Sequence, residues 1–211
     1  MCFSATASFT AGAALTVIGV ASVASVKRRS DILFAAIPLL FGLQQLLEGV
    51  IWLSLQNTKL VSILSVAYLF VSHVVWPTVI PLSVFLMERV TWRRRVLGVC
   101  IGVGIVVSAY FLYYLFIEPV TAIIVDKCIA YVSQHFSRTF FLSPYTLATS
   151  LSCLFSRYRL VNLFGITTFI AGVITVWFYD QAFISVWCFF AAILSVIIFM
   201  QVRLEGKKSL R

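Results

Sequence analysis

The chain has 211 residues, of which 62% are hydrophobic and 11% charged, and its formal net charge is +9. A soluble domain is roughly half apolar and roughly a quarter charged. With 19 Phe, 8 Tyr and 5 Trp and a mean hydropathy of +1.05, this composition excludes a soluble globular domain, a disordered chain and a disulfide-knotted miniprotein.

A spanning helix needs about 20 mostly apolar residues. Seven runs in chain order fit that description: 5–26, 32–55, 60–87, 96–117, 139–155, 160–179 and 182–202. The predicted fold is all-α, a single domain over 1–211 forming an integral membrane bundle of seven transmembrane helices. Run one opens with small residues, Ser4, Ala5, Ala7, Ser8, Ala11, Gly12 and Ala13, which permit close backbone approach. No positive charge precedes it and three follow, so it is expected to stay as a spanning helix and not to be cleaved as a signal. Pro77 and Pro81 should kink run three and free backbone carbonyls that then need partners. Gly98 and Gly102 make a GxxxG step in run four, read as helix packing. Run five is short and rich in Ser and Thr.

The connection 118–138 is more polar. Val125, Cys128, Ile129, Val132 and Phe136 fall on a helical stripe, although Ile123-Ile124-Val125 is β-branched. The expectation is an amphipathic segment lying on the outer membrane face or capping the bundle.

The basic residues sit in short clusters between the apolar runs, as in the loops of a multi-pass protein, so the positive charge does not indicate nucleic acid. Lys and Arg also set the orientation. With the N-terminus outside, 13 of the 16 lie on the inner side: Lys27, Arg28, Arg29; Arg89, Arg93, Arg94, Arg95; Arg157, Arg159; Arg203, Lys207, Lys208 and Arg211. Lys59, Lys127 and Arg138 remain outside. The bias predicts a cytoplasmic C-terminus, with the lipid bilayer as partner and lipid headgroups near the inner arginines; the expected location is the inner (cytoplasmic) membrane.

The polar residues within the runs carry the functional signal. Glu48 is the one acidic residue well inside a run. A lone carboxylate in hydrocarbon costs several kcal/mol, so it should face the bundle interior, stay neutral or pair. Gln44 and Trp52 flank it at i−4 and i+4, and Gln45 at i−3, so these side chains share a helix face. His73 lies in run three beside Ser72 and near Trp76. At about 1.5 Å per residue, Glu48 is about 24 Å and His73 about 21 Å from the inner ends of their runs. The two are therefore expected at similar depth, in the outer half of the membrane.

Cys2 stands at the outer start of run one and Cys188 near the outer start of run seven. Removal of Met1 would leave Cys2 with a free α-amine beside its thiol. Cys2, Glu48 and His73 together form a donor set suited to Zn²⁺ or another transition metal. A carboxyl beside an imidazole equally suits proton transfer. Cys188, Cys100 and Cys153 have packing as their plain explanation. Asn162 reads as a helix-end residue, and His135 as a solvated polar group in the outer loop.

The opening Met1-Cys2-Phe3-Ser4-Ala5-Thr6-Ala7-Ser8-Phe9 resembles that of an uncharacterised bacterial multi-pass family. Gln44-Gln45-Leu46-Leu47-Glu48-Gly49-Val50-Ile51-Trp52 resembles its second-helix motif, and Ser185-Val186-Trp187-Cys188-Phe189-Phe190-Ala191-Ala192 its last-helix motif. The resemblance implies a seven-helix domain of unknown function. It draws attention to Cys2, Gln44, Gln45, Glu48, Trp52 and Cys188, and implies no reaction or ligand; Trp187, beside Cys188, is a secondary candidate.

No Walker loop, GxGxxG, HExxH, GxSxG or CxxC motif is present. No Lys lies within a run, which leaves no residue for a Schiff base. Three readings are open. In the first, Cys2, Gln44, Gln45, Glu48 and His73, walled by Trp52 and Trp76, form an outward-side pocket that binds a metal ion, a proton or a small polar solute for sensing or transport. In the second, the protein is a membrane-embedded enzyme using Cys2 with Glu48 and His73. In the third it is an assembly subunit whose polar cluster joins helices.

Overall fold

A computed structural model describes residues 4–132 and 138–208. The chain is 81% helical. Seven helices are present among the described residues: α1 (Ala5–Ala24), α2 (Arg29–Ser54), α3 (Thr58–Met87), α4 (Thr91–Ile117), α5 (Arg138–Thr149), α6 (Arg159–Phe178) and α7 (Phe183–Gly206). Six of them, all but α5, are long and apolar enough to cross a membrane. The fifth run differs from expectation. Helix α5 has 12 residues, carries Pro144, and gives way to a 3₁₀ segment at Leu151–Phe155. Proline and the Ser/Thr-rich composition weaken the helix there.

Outward-facing apolar side chains support contact with a bilayer. Val17, Leu53, Val106, Phe116, Trp177 and Phe178 are all at least 70% exposed, and a water-soluble monomer does not leave so much large apolar surface uncovered.

The connection after α4 is also a correction. It is a β-hairpin, β1 (Thr121–Val125) and β2 (Cys128–Val132), antiparallel with Val125 opposite Cys128. The two-residue turn Asp126-Lys127 has positive φ at both positions, 48° and 63°, the backbone of a type I′ hairpin turn. The β-branched residues on both strands outweigh the weak helical stripe. The hairpin does cap the bundle: Ser62 Oγ donates to Val120 O at 2.9 Å, and Val120, Ala122 and Ile129 pack with Ile51, Val61 and Leu115.

Helices α1 and α2 lie antiparallel along their length. Small residues make the seam. A Cβ on Gly12 would fall 2.8 Å from Leu46, one on Gly42 2.7 Å from Thr16, and one on Gly49 2.9 Å from Phe9. Helix α1 is capped by Ser4, whose Oγ accepts from Ala7 N at 3.3 Å. The GxxxG step of α4 faces open space among the described residues: a Cβ on Gly98 or Gly102 would meet nothing within 4 Å. The glycine that does pack is Gly104, where a Cβ would collide with the carbonyl oxygen of Pro77.

Helix α3 is irregular at its centre. Phe70–Val75 forms a π-helical turn, and Trp76 N donates to Val71 O. In that pattern the next donor, on residue 77, would reach Ser72 O, but Pro77 has no N–H. The Tyr145 hydroxyl of α5 donates to Ser72 O instead. Ser108 Oγ of α4 donates to Val74 O at 2.7 Å. Ser72 O, a carbonyl freed at Pro77, therefore acquires a side-chain donor from a neighbouring helix.

The end remote from the hairpin is tied by two ionic clusters. Glu88 is fully buried; its Oε1 accepts from Arg89 N and Val90 N at 2.9 and 3.0 Å, and its Oε2 from Arg157 N at 2.7 Å. Arg28 bonds Asp31 at 3.0 Å and donates to the Tyr158 hydroxyl at 3.1 Å. The bond to Tyr158 leads in raising the pKa of that guanidinium, with Asp31 adding to it.

Candidate functional site

Two candidate sites lie toward the hairpin half of the bundle. The first is on α2, where Gln44, Gln45 and Glu48 are all buried, to 2%, 0% and 0% exposure. Their spacing sets them with Trp52 on one helix face, as the i, i+4 and i+3 relations require. Gln44 Oε1 accepts from Trp76 Nε1 of α3 at 2.8 Å, and Trp76 stacks on Phe41 at 4.0 Å. Glu48 Oε1 accepts from Ser185 Oγ of α7. The α1–α2 pairs at Phe9/Gly49 and Gly12/Leu46 put Ser8 at the level between Glu48 and Trp52. Four helices thus enclose this face.

Most of its hydrogen-bonding capacity is unused. Among the described residues, Ser8 Oγ, Gln44 Nε2, both amide atoms of Gln45, Glu48 Oε2 and Trp52 Nε1 are buried with no hydrogen-bond partner. Each such atom costs about 1–3 kcal/mol when left unsatisfied, and buried polar groups are nearly always paired. Trp76 fixes the amide of Gln44, which leaves its Nε2 as a donor. The set therefore mixes N–H donors from Gln44 and Trp52 with acceptors on Glu48 and Ser8, and Gln45 offers one of each.

The second site is a cavity of about 360 Å³ beneath the hairpin, and His73 lines it. His73 sits in the π-helical turn, with Nδ1 2.6 Å from Ser72 Oγ and its ring edge-on to Phe111 at 4.3 Å. Tyr145, Trp187 and Cys188 share the wall, while Asp180 and Gln181 stand exposed at the mouth. Trp187 is held by a 2.9 Å bond from Nε1 to Thr168 O.

The sequence candidates are therefore distributed. Gln44, Gln45, Glu48, Trp52 and Trp76 assemble around α2. His73, Trp187 and Cys188 line the cavity, whose wall does not include Glu48 or the glutamines. Cys2 and His135 lie outside the described residues. Among the described residues, no three of His, Cys, Asp and Glu group to hold a metal ion.

Two contributors were not singled out from sequence. Ser185 closes a bond to Glu48 across 137 positions, and no local pattern signals such a pairing. Tyr145 matters because Pro77 removes a donor, and Pro77 was the available clue.

The chain belongs to the Family of unknown function (DUF6629), which it matches over residues 1–210. No curated protein and no solved structure matches it.

Proposed function

We propose, for this member of a family of unknown function, that it is an integral membrane protein whose polar interior at Ser8, Gln44, Gln45, Glu48 and Trp52 takes up a small uncharged hydrogen-bonding solute, water included, and conducts it. The orientation follows the Lys and Arg bias, with the N-terminus outside, so the polar face opens toward the outer half of the membrane. The observation that carries the reading is the concentration of six unpartnered buried atoms on one face between α1 and α2. Isolated hydroxyls in a helix can turn to their own backbone carbonyls, but amides, an indole and a carboxyl at this density need a guest. The donor set favours an uncharged guest, since the amide nitrogen of Gln44 and the indole N–H of Trp52 donate and do not ligate a cation.

Proteoliposomes test this directly. Entry of urea and of glycerol, followed by light scattering, should exceed that of protein-free vesicles, and Glu48→Gln and Gln45→Leu should return it toward the baseline at an unchanged melting temperature. Flux in wild-type vesicles equal to that of empty ones would refute it. Elemental analysis of protein purified without chelator is the companion measurement: a stoichiometric metal would overturn the reading of an uncharged guest.

A second reading has its own support. The Ser185–Glu48 and Trp76–Gln44 bonds join α2 to α7 and α3, as helix-joining polar contacts do. On that reading Glu48→Leu lowers thermal stability and changes no flux.

A further inference from the structure

The cavity beneath the hairpin is separate from the polar face of α2 and has a different chemistry. We infer that it is a binding site for a neutral aromatic small molecule bearing one hydroxyl or N–H group. Its volume of about 360 Å³ lies within the range of sites that hold a single organic ligand.

The wall is unusually rich in rings. Phe111, Tyr131, Tyr145, Phe183 and Trp187 all line it. Several are already held in place by neighbours. Tyr131 stacks on Tyr68 at 4.7 Å, Trp187 lies 5.4 Å from Tyr145 and 5.1 Å from Phe183, and Phe111 meets His73 edge-on. Rings fixed in this way offer faces and edges to a planar guest with little ordering cost.

The polar content selects the charge and the head group. Among the described residues that line the cavity there is no Lys or Arg, and the one carboxylate, Asp180, stands at the exposed mouth. A charged guest at the floor would lose its hydration without a counter-charge there. The Tyr145 hydroxyl spends its proton on Ser72 O, so its oxygen keeps acceptor capacity for a ligand O–H or N–H. The floor is made by helices α3, α4, α5 and α7 and the roof by the hairpin, so a guest would bridge the two.

The test uses the full chain in lipid nanodiscs and three probes of one shape: 1-naphthol, 1-naphthoate and 1-naphthylmethylammonium. Calorimetric titration, corrected with empty nanodiscs, should give saturable 1:1 binding of 1-naphthol. The naphthoate and the ammonium should each bind at least ten-fold more weakly. Ala130→Phe fills the cavity from the hairpin side and Cys188→Leu from the helix side; each should weaken naphthol at least ten-fold. Tyr145→Phe should weaken it several-fold. Linear partitioning without saturation would overturn the inference, as would equal or tighter binding of either charged probe. Undiminished binding in a folded, cavity-filled variant would do the same. The charge series on the wild-type chain decides the matter even where a filled variant does not fold. Loss of solute flux in the Glu48 variants leaves this binding intact, so the two sites are tested apart.

Discussion

Gly104 is the position where the α3–α4 seam is most sensitive to one added carbon. A Cβ there collides with Pro77 O, a backbone atom that no rotamer change can move. Gly104→Ala must therefore push the helices apart by about 1 Å, enough to forfeit up to about half of each dispersion contact along the seam. The same shift stretches Ser108 Oγ–Val74 O from 2.7 Å and Thr78 Oγ1–Ser108 Oγ from 3.0 Å, bonds worth about 1 kcal/mol each. The total is about 3 kcal/mol, or a melting temperature lower by about 6–12 °C for a chain of this size. Gly98→Ala and Gly102→Ala serve as controls on the same helix. Both glycines face open space, so alanine there is neutral or gains up to about 1 kcal/mol of helix propensity. Melting of the three variants in one detergent, followed by circular dichroism, gives the comparison. If Gly102→Ala proves as damaging as Gly104→Ala, the seam has been misassigned and the GxxxG face is covered by a second chain.

The remaining expectations concern the two ends of the bundle. Glu88→Ala removes the acceptor of three backbone N–H groups at the α3–α4 and α5–α6 connections and should cost about 3–5 kcal/mol. Glu88→Gln keeps one acceptor oxygen and should cost about half as much, both read from denaturant titration; equal stability of the two variants would count against the assignment. Lys127→Gly relieves a side chain held at φ 63° and should strengthen the hairpin by about 1 kcal/mol, seen as slower hydrogen exchange at Ile124 and Ile129. Lys127→Val should speed the same exchange, because a β-branched residue tolerates that backbone less well.

Six of the helices were legible because length and hydropathy alone determine what crosses a bilayer, and no tertiary contact has to be known. The departures at the 118–138 connection and at the GxxxG step share a cause: both depend on which face a short segment turns inward. Residues 121–132 carry a helical stripe and a β-branched pattern at once, and only the Asp126-Lys127 turn and the packing on Val61 and Leu115 decide for strands. Gly98 and Gly102 match a packing motif by spacing, yet rotation of α4 about its axis brings Gly104 to the partner. In the site, the α2 face was legible because Gln44, Gln45, Glu48 and Trp52 are neighbours by helical periodicity. The placement of His73 was not, since depth along a helix says nothing of azimuth, and a π-helical turn shifts the azimuth of everything beyond it.

The buried polar residues divide by what they bond. Tyr145, Ser108 and Trp187 each donate to a backbone carbonyl on another helix, and Ser72 and Ser83 to carbonyls of their own. Irregular or crowded backbone is enough to explain them, because a carbonyl in an apolar interior must find a donor. Ser22, Ser65, Ser150 and Thr168 contribute one unpartnered hydroxyl each and are scattered over four helices and connections. What is left is the face at Ser8, Gln44, Gln45, Glu48 and Trp52, where Gln44 accepts from Trp76 and Glu48 from Ser185 while six further polar atoms have no hydrogen-bond partner. A bundle selected only for stability would replace them with apolar side chains of like volume, since such replacement is often neutral or stabilising. Their presence together at one depth, beside helices packed through Gly12, Gly42 and Gly49, is what the proposed solute path would use, and what the helix-joining reading has to explain by the bonds to Trp76 and Ser185 alone.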